Sequence, residues 1–291
     1  MEKPHSRYAA SDDAPVTITR HRVRLRFANR TCAQPGRGRG FTLVELVMVI
    51  LLLGIMATFS SQFIGIGTEI YGDASRREQL MSDARFALER LNREVRDAVP
   101  GSVRVEDEAG IAGDQGSCLR FWPIVTASRY LSLSGSGGVS IVTPSVLPEQ
   151  DIDSAIVYPL ADPNIPLDEG CLHGNCVASV TSVGTSVSGA LSLTVDDGFA
   201  KDSPGKRIYF ARQQVRYCVA GTTLTRVSTA IDAAIKDAPT VLMAEHIRPA
   251  AYYFYREPAA FNQSEVGLRL GFERSGEQVI FNHKLELLNV P

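Results

Sequence analysis

A single carboxylate lies near the start of a long apolar run, GRGRGFTLVELVMVILLLGIMATF, at residues 36–59. This carboxylate, Glu45, is the one charged side chain between residues 41 and 67. A charge deep in a bilayer costs roughly 2.5–3.5 kcal/mol, so a carboxylate in such a run favours a partner of opposite charge. Cleavage after Gly40 would supply one. The new amino group of Phe41 would lie four residues before Glu45, and residues with that spacing share a helix face. The ion pair could form within one chain or between neighbouring chains.

Charge is divided unevenly along the 291 residues. Residues 1–40, the head of the chain, hold nine Lys and Arg against three Asp and Glu and so carry a charge of +6. The remaining residues hold 21 Lys and Arg against 29 Asp and Glu and so carry −8. A basic segment before a membrane span marks the cytoplasmic side, which predicts a cytoplasmic N-terminus and an external body. Aromatic residues do not interleave usefully with the arginines of the head, which disfavours a nucleic-acid-binding arm.

The apolar run is long enough to span a bilayer. Phe41 to about Gln62 meets the length of about 20 residues that a hydrocarbon layer of ~30 Å requires. Two simpler interpretations are a cleaved secretory signal peptide and an uncleaved signal anchor. The length of the run and the carboxylate inside it oppose the signal peptide. The preceding GRGRG disfavours helix, so a protease could hold it extended.

The stretch GFTLVELVMVILLLGIMA resembles the processing and assembly segment of type IV prepilins and type II secretion pseudopilins. The resemblance implies that a prepilin peptidase cuts after Gly40 and methylates the new terminal residue, Phe41. It also implies that Glu45 pairs with the terminal amine of a neighbouring subunit. The leader of 40 residues is long for this family.

The same resemblance implies the location and partners of the protein. The chain would cross the bacterial inner membrane once, with a periplasmic body, and would then enter a pilus fibre. Its partners would be the prepilin peptidase, other minor and major pilin subunits, and the inner-membrane assembly platform.

A second helix pattern follows the apolar run in DASRREQLMSDARFALERLNREVRDAV, residues 73–99. Apolar residues recur at steps of three and four, which indicates one buried helix face. Pro100 disfavours helical geometry at Val99 and predicts the end of the helix. The apolar stripe consists of Leu80, Ala84, Ala87, Leu88, Leu91, Val95 and Ala98.

Two stretches, MSDARFALERLNREVRDAVPGSVRV and CLRFWPIVTASRY, resemble the minor pseudopilins of the J/W class. They look closest to the MshO-type minor pilin proteins of mannose-sensitive haemagglutinin (MSHA) pilus biogenesis. This resemblance implies a minor subunit that primes fibre assembly near the tip. A J-type minor pseudopilin of type II secretion is the alternative within that class. A glycan- or calcium-binding tip adhesin is an alternative from another class.

The pattern predicts an α+β fold, and together with the resemblance it implies a pilin-like fold of four segments. Residues 1–40 form a basic leader that is cleaved, 41–62 a transmembrane and assembly helix, 63–99 its amphipathic continuation, and 100–291 a periplasmic β-rich domain. The long helix is expected to pack on antiparallel sheet. Hairpin turns are expected around Ala220-Gly221 and Ser275-Gly276. Strands are predicted near 118–125, 139–142, 154–159, 190–196, 206–219, 222–228, 250–256, 265–273 and 278–288.

Cysteine usage favours disulfides in the body. Cleavage would remove Cys32 and leave an even number, which is typical of exported domains. CLHGNC is a short loop that Cys171–Cys176 would close, and Cys118 would then pair with Cys218. Four cysteines allow three connectivities, and the spacing does not choose among them. A metal site using Cys171, His173 and Cys176 departs from the usual ligand spacing.

No catalytic constellation is evident, and a non-enzymatic role without a required cofactor is expected. The sequence contains no G-x-S-x-G elbow and no P-loop. In DDGFAKD, Asp196, Asp197 and Asp202 are weak candidates for Ca²⁺ ligands, although a solvated hairpin turn is favoured. The aromatic cluster YYFYREP at 252–258 is expected to bury alternate side chains on a strand. A sugar- or partner-binding patch is the alternative for that cluster.

Overall fold

The computed structural model describes residues 40–235, 238–256 and 265–287. Residues 1–39 of the predicted leader, including Cys32, lie outside this range. The chain divides into two units, Met1–Phe63 and Ile64–Pro291. The elements in chain order are α1 (Leu43–Arg96), β1 (Arg104–Glu106), β2 (Gln115–Gly116), β3 (Cys118–Phe121), β4 (Thr126–Leu133), β5 (Gly138–Val142), β6 (Ser154–Val157), α2 (Leu167–Gly170), β7 (Val177–Val187), β8 (Ala190–Val195), β9 (Arg207–Ala211), β10 (Gln213–Ala220), β11 (Thr223–Ala230), β12 (Thr240–Ala244), β13 (Phe254–Tyr255), β14 (Glu265–Arg274) and β15 (Glu277–Glu286).

The amphipathic part of α1 packs on antiparallel sheet, as the periodicity predicts. All seven residues of the predicted apolar stripe are buried in one core with the strands. The helix ends at Arg96, three residues before the predicted end. After it, the Asp97 carbonyl accepts a hydrogen bond from Ile124 N at 2.9 Å, and Val99 N donates to the Trp122 carbonyl at 2.8 Å. These bonds to the segment after β3 replace the last helical turn.

Two sheets form the core of the body with α1. A five-stranded sheet has the order β1-β3-β10-β11-β12, and a four-stranded sheet has the order β15-β14-β13-β2. Every described strand pair in them is antiparallel. Both predicted hairpins form, and the second places Ser275 and Gly276 at φ +52° and +88°, as a two-residue turn with both φ values positive requires.

One carboxylate of α1 ties the helix to the five-stranded sheet. Glu94 accepts hydrogen bonds from Tyr217 Oη at 3.0 Å and Arg226 Nε at 2.9 Å, and from Arg90 Nε within the helix at 3.0 Å. Burial, followed by the charge of Glu94, raises the pKa of Tyr217 above its usual range. The phenol therefore stays protonated and donates to the carboxylate.

A closed six-stranded barrel lies between β3 and β10 in the chain, a feature that the strand pattern does not predict. Its order is β4-β5-β8-β7-β6-β9, and it has a separate apolar core. Strands β4 and β7 were absent from the prediction. One face of strand β7 and its C-terminal half are exposed and largely polar, so the strand has too little apolar alternation to be predicted. The short strands β1 and β2 and the sheet-edge strand β12 were also missed.

The single strand predicted at 206–219 is wrong. It is two strands in different sheets, β9 in the barrel and β10 in the five-stranded sheet, with a break at Arg212. The Arg212 side chain donates hydrogen bonds to the fully buried carboxylate of Asp153 at 3.0 Å and to the exposed carboxylate of Glu149 at 2.7 Å. These ion pairs hold the Arg212 side chain at the break. Buried apolar residues occur on both sides of the break, in β9 and in β10, so the sequence pattern does not reveal it.

Leu91→Ala is expected to lower the free energy of unfolding by about 2–5 kcal/mol. Leu91 is 0% exposed in the core beneath α1, so the substitution opens a cavity that packed neighbours cannot fill. Urea unfolding of the detergent-solubilised protein measures the change. The matched control is Arg93→Ala on the exposed face of the same turn, which is expected to stay within about 0.5 kcal/mol. Equal effects of the two variants would contradict the packing of this face.

Candidate processing and assembly site

The segment after the predicted cleavage position is fully accessible. Gly40 and Phe41 precede α1, which begins at Leu43, and the Phe41 side chain is 78% exposed. Every residue from 40 to 63 is exposed, although residues 43–59 are almost wholly apolar. A helix that is apolar on all sides is typical of a bilayer span or of the buried core of a larger assembly.

Among the described ranges, α1 is the one helix long and apolar enough to cross a membrane, judged by length and composition. A core helix of a soluble protein can pass the same test, but such a helix is mostly buried, whereas the apolar window of α1 is fully exposed. The apolar surface is therefore left for lipid or for other chains.

Thr42 caps the start of α1. Its Oγ1 accepts a hydrogen bond from Glu45 N at 3.2 Å, and its carbonyl accepts one from Leu46 N at 3.1 Å. Thr42 and Glu45 thus have the T-x-x-E spacing of a capping box, in which the glutamate belongs to the first helical turn. The positive end of the helix dipole favours a carboxylate there. This cap was not predicted, although the T-x-x-E spacing of Thr42 and Glu45 indicates it.

The helix start changes the expected pairing of Phe41 with Glu45. The spacing argument placed both on one helix face, but Phe41 lies before the cap and outside the helix. The i, i+4 geometry within one chain is therefore absent in this structure. The Glu45 side chain is exposed in the first turn, where it is open to a charged group from another chain.

Residues 36–61 match the family described as the prokaryotic N-terminal methylation motif. Residues 36–61 therefore form a prepilin-type methylation motif. The methylation motif supports a type IV pilin or pseudopilin that is processed by prepilin peptidase and assembles with other pilins. Together with the apolar helix, it supports membrane anchoring. No curated protein and no solved structure matches the chain.

Two disulfides lie in the body that follows the methylation motif. Cys118 and Cys218 are directly paired residues of β3 and β10, and a disulfide joins them. A second disulfide joins Cys171 and Cys176 and closes a short loop. Both pairs are the ones considered from the sequence. The thiols of Cys171 and Cys176 are thereby consumed, which removes the alternative of a metal site with His173.

The mature protein, unfolded without reductant, is expected to show no thiol that reacts with a maleimide. Both disulfides consume the four cysteines that remain after cleavage at Gly40. Intact-mass spectrometry after maleimide treatment measures the labels, and the same sample reduced beforehand is the control. Labelling of the unreduced mature chain would contradict the two pairings.

The aspartates of DDGFAKD lie in the connection from β8 to β9, two strands that are not neighbours in the barrel. The favoured hairpin turn is therefore wrong. Asp196 Oδ1 accepts from Ser179 N at 2.7 Å, and Asp197 Oδ1 accepts from Gly198 N at 2.8 Å. Asp202 is exposed farther along the loop. In the described ranges, no three or more His, Cys, Asp or Glu side chains form a group suited to a metal ion.

The aromatic cluster buries adjacent rather than alternate residues. Tyr253 and Phe254 are 6% and 0% exposed, whereas Tyr252 and Tyr255 are half-buried. The alternation expected for a strand is absent because β13 consists only of Phe254 and Tyr255. Residues 257 and 258 of this cluster lie outside the described ranges.

Proposed function

We propose that the protein is a minor pilin or pseudopilin subunit of an MSHA-like type IV pilus, with no catalytic turnover of its own. Prepilin peptidase removes residues 1–40 and methylates Phe41. The mature subunit remains anchored in the inner membrane with its body in the periplasm until assembly. It then joins other minor and major subunits through the assembly platform and primes the fibre near its tip.

One observation carries the proposal. A methylation motif at residues 36–61 leads into a helix whose apolar surface is exposed on all sides and whose first turn holds a single carboxylate, Glu45. A membrane anchor alone does not need that carboxylate, because it raises the cost of insertion. The Glu45 carboxylate has a role if it forms an ion pair with the terminal ammonium group of a neighbouring subunit. The exposed apolar surface supports the accompanying helix bundling in the fibre.

The minor role rests on the resemblance of residues 81–105 and 118–130 to J/W-class minor pseudopilins. A J-type minor pseudopilin of type II secretion has the same resemblance. A deletion strain distinguishes the two systems, since loss of surface pili supports the pilus subunit and loss of secreted enzymes with normal pili supports the secretion subunit.

Mass spectrometry of the N-terminal peptide of the natively expressed protein tests the processing. The expected peptide begins FTLVE and is heavier by one methyl group on its terminal residue. An N-terminus at any other residue, or a retained arginine-rich leader, would contradict the proposal.

A further inference from the structure

The four-stranded sheet ends in a long strand that has a neighbour on one side only. Strand β15 has ten residues and pairs with β14 over its whole length without a register shift. In the described ranges it is the last strand of its sheet. Its outer edge therefore presents backbone N–H and C=O groups that no other strand uses, and such a row is a template for pairing with a further strand.

The other strands at the ends of the two sheets are short, buried or irregular. Strand β12 has five residues and a register shift opposite Leu224 and Thr225, β1 has three residues that are all buried, and β2 has two residues. Such features prevent edge-to-edge pairing. Strand β15 has none of them and no proline, and its residues 278–283 also lack Lys, Arg, Asp and Glu, whose charges protect many edge strands.

The main hydrophobic core is incompletely covered along this edge. Val279 and Phe281 face the core but are only partly buried against it. The Phe281 ring meets the Phe272 ring edge-on, with centroids 5.8 Å apart. Ile280, which points to the opposite face of the sheet, is 52% exposed. A strand alongside β15 would extend the core over Val279 and Phe281 and would cover part of Ile280.

Antiparallel pairing of β15 with a second β15 matches like residues in a register centred on Ile280. In this register apolar residues face apolar residues, amides face amides, and a carboxylate faces an imidazole. Gln278 Nε2 donates to Glu273 at 3.1 Å, and an amide has a second N–H for a partner across the new strand pair. The direct pairs are Ile280–Ile280, Val279–Phe281, Gln278–Asn282 and Glu277–His283.

Moving the centre by one residue in either direction breaks these matches. Centred on Phe281, the register would put Ile280 opposite Asn282. Centred on Val279, it would put Phe281 opposite Glu277. The apolar pattern of a strand determines its register when one sheet face is buried, so the register centred on Ile280 is favoured.

We propose that β15 is a homotypic docking edge, which pairs antiparallel with β15 of a second copy of this chain around Ile280. The pairing uses the same surface of both copies, as a twofold axis requires, and joins the two four-stranded sheets into one. Residues 277–283 of each copy form it, fewer than the roughly 20–30 residues a side of a stable interface. The dimer is therefore expected to be weak and reversible.

The twofold axis decides which copies meet. It is perpendicular to the sheet and reverses the direction of a helix that lies on the sheet face, and the amphipathic part of α1 packs on this core. Copies anchored in one membrane have helices that run in the same direction, so they do not form this pair. On the proposed function, on which this step rests, the pair joins subunits of two fibres that meet from opposite directions.

Disulfide trapping of the full-length, detergent-solubilised protein tests the register. A Cys32→Ser background leaves no free thiol, because the other four cysteines form disulfides. Directly opposite residues of an antiparallel pair have Cα atoms about 4.5–5.5 Å apart, which a disulfide spans. We expect Ile280→Cys to form a covalent dimer under mild oxidation. Asn282→Cys, on the same strand face, is the matched control and should stay monomeric, because its two copies lie at least about 13 Å apart.

Analytical ultracentrifugation at increasing protein concentration measures the association without a crosslink. Ile280→Lys places two like charges directly opposite each other, and we expect it to weaken dimerisation at least tenfold. Asn282→Lys places its lysine opposite Gln278 and is expected to associate as the wild type. Both positions are exposed, so neither variant should change the unfolding temperature.

Trapping in the native inner membrane tests the orientation. There we expect Ile280→Cys to stay monomeric, since all copies share one helix direction, and to form the covalent dimer after extraction into detergent. A covalent dimer in the membrane would overturn the opposite-direction assignment. No Ile280→Cys dimer in detergent, a dimer of Asn282→Cys instead, or wild-type association of Ile280→Lys would overturn the docking edge. The detergent experiments do not depend on cleavage at Gly40 or on fibre assembly, so their failure is distinct from failure of the proposed function.

Discussion

Gly40→Val is expected to leave the chain uncut, so that the protein migrates at its full length of 291 residues instead of losing its first 40. Glycine at the cleavage position lets a protease approach the backbone closely, and a branched side chain blocks that approach. The fold itself should tolerate the change, because a Cβ at Gly40 meets no atom within 4 Å. Immunoblotting of membranes from cells that contain prepilin peptidase measures the outcome.

Gly67→Val is the matched control for this experiment. A Cβ at Gly67 also meets nothing within 4 Å, but the residue lies inside α1, far from the cleavage position. We expect the control to be cut as the wild type is. A mature band for Gly40→Val would show that processing does not occur at this junction. Failure of both variants to be cut would point to impaired membrane insertion, which membrane fractionation then detects.

Glu45→Ala is expected to spare membrane insertion and processing but to reduce incorporation into the fibre by about a hundredfold or more. Removing one partner of a buried ion pair costs about 3–5 kcal/mol, and each 1.4 kcal/mol is a tenfold change in an equilibrium. Insertion itself should not suffer, because the substitution removes a charge from the apolar segment. Quantitative immunoblotting of sheared fibres against the membrane fraction measures incorporation.

Glu45→Gln distinguishes ion pairing from helix capping. Glutamine supports a capping box as glutamate does, so the start of α1 should persist in this variant. Its side chain lacks the charge that an ammonium partner requires, and we therefore expect incorporation to fall as in Glu45→Ala. Glu69→Gln, at an exposed carboxylate farther along α1, is the control and is expected to assemble normally. Wild-type incorporation of Glu45→Gln would reject the pairing role and leave only the cap.

The processing segment and the packed face of α1 were predictable from the sequence. Hydrophobic periodicity is a local property, and the predicted stripe from Leu80 to Ala98 is buried throughout. The alternation of strand residues likewise located most of the strands of the two sheets. It did not locate the exposed strand β7, because that strand has little apolar signal along its outer half.

Strand partners were not predictable, and they account for the errors in the body. The pattern at 206–219 is that of one strand, but it cannot report that β9 and β10 join different sheets. At that change Arg212 pairs with Asp153 and Glu149, which lie far away in the chain. An alternating pattern records which faces are buried and carries no information about which strand lies alongside.

By itself, the sequence determined the methylation motif, the single carboxylate in the apolar run, and the helix that follows. Each of these depends on neighbours within a few residues, and insertion and cleavage act on that local chain. Only the tertiary structure decided the barrel, the disulfide partners and the change of sheet at Arg212. Those features arise where antiparallel register brings distant residues together, as for Cys118 and Cys218, which are 100 residues apart in the chain and directly opposite in the sheet.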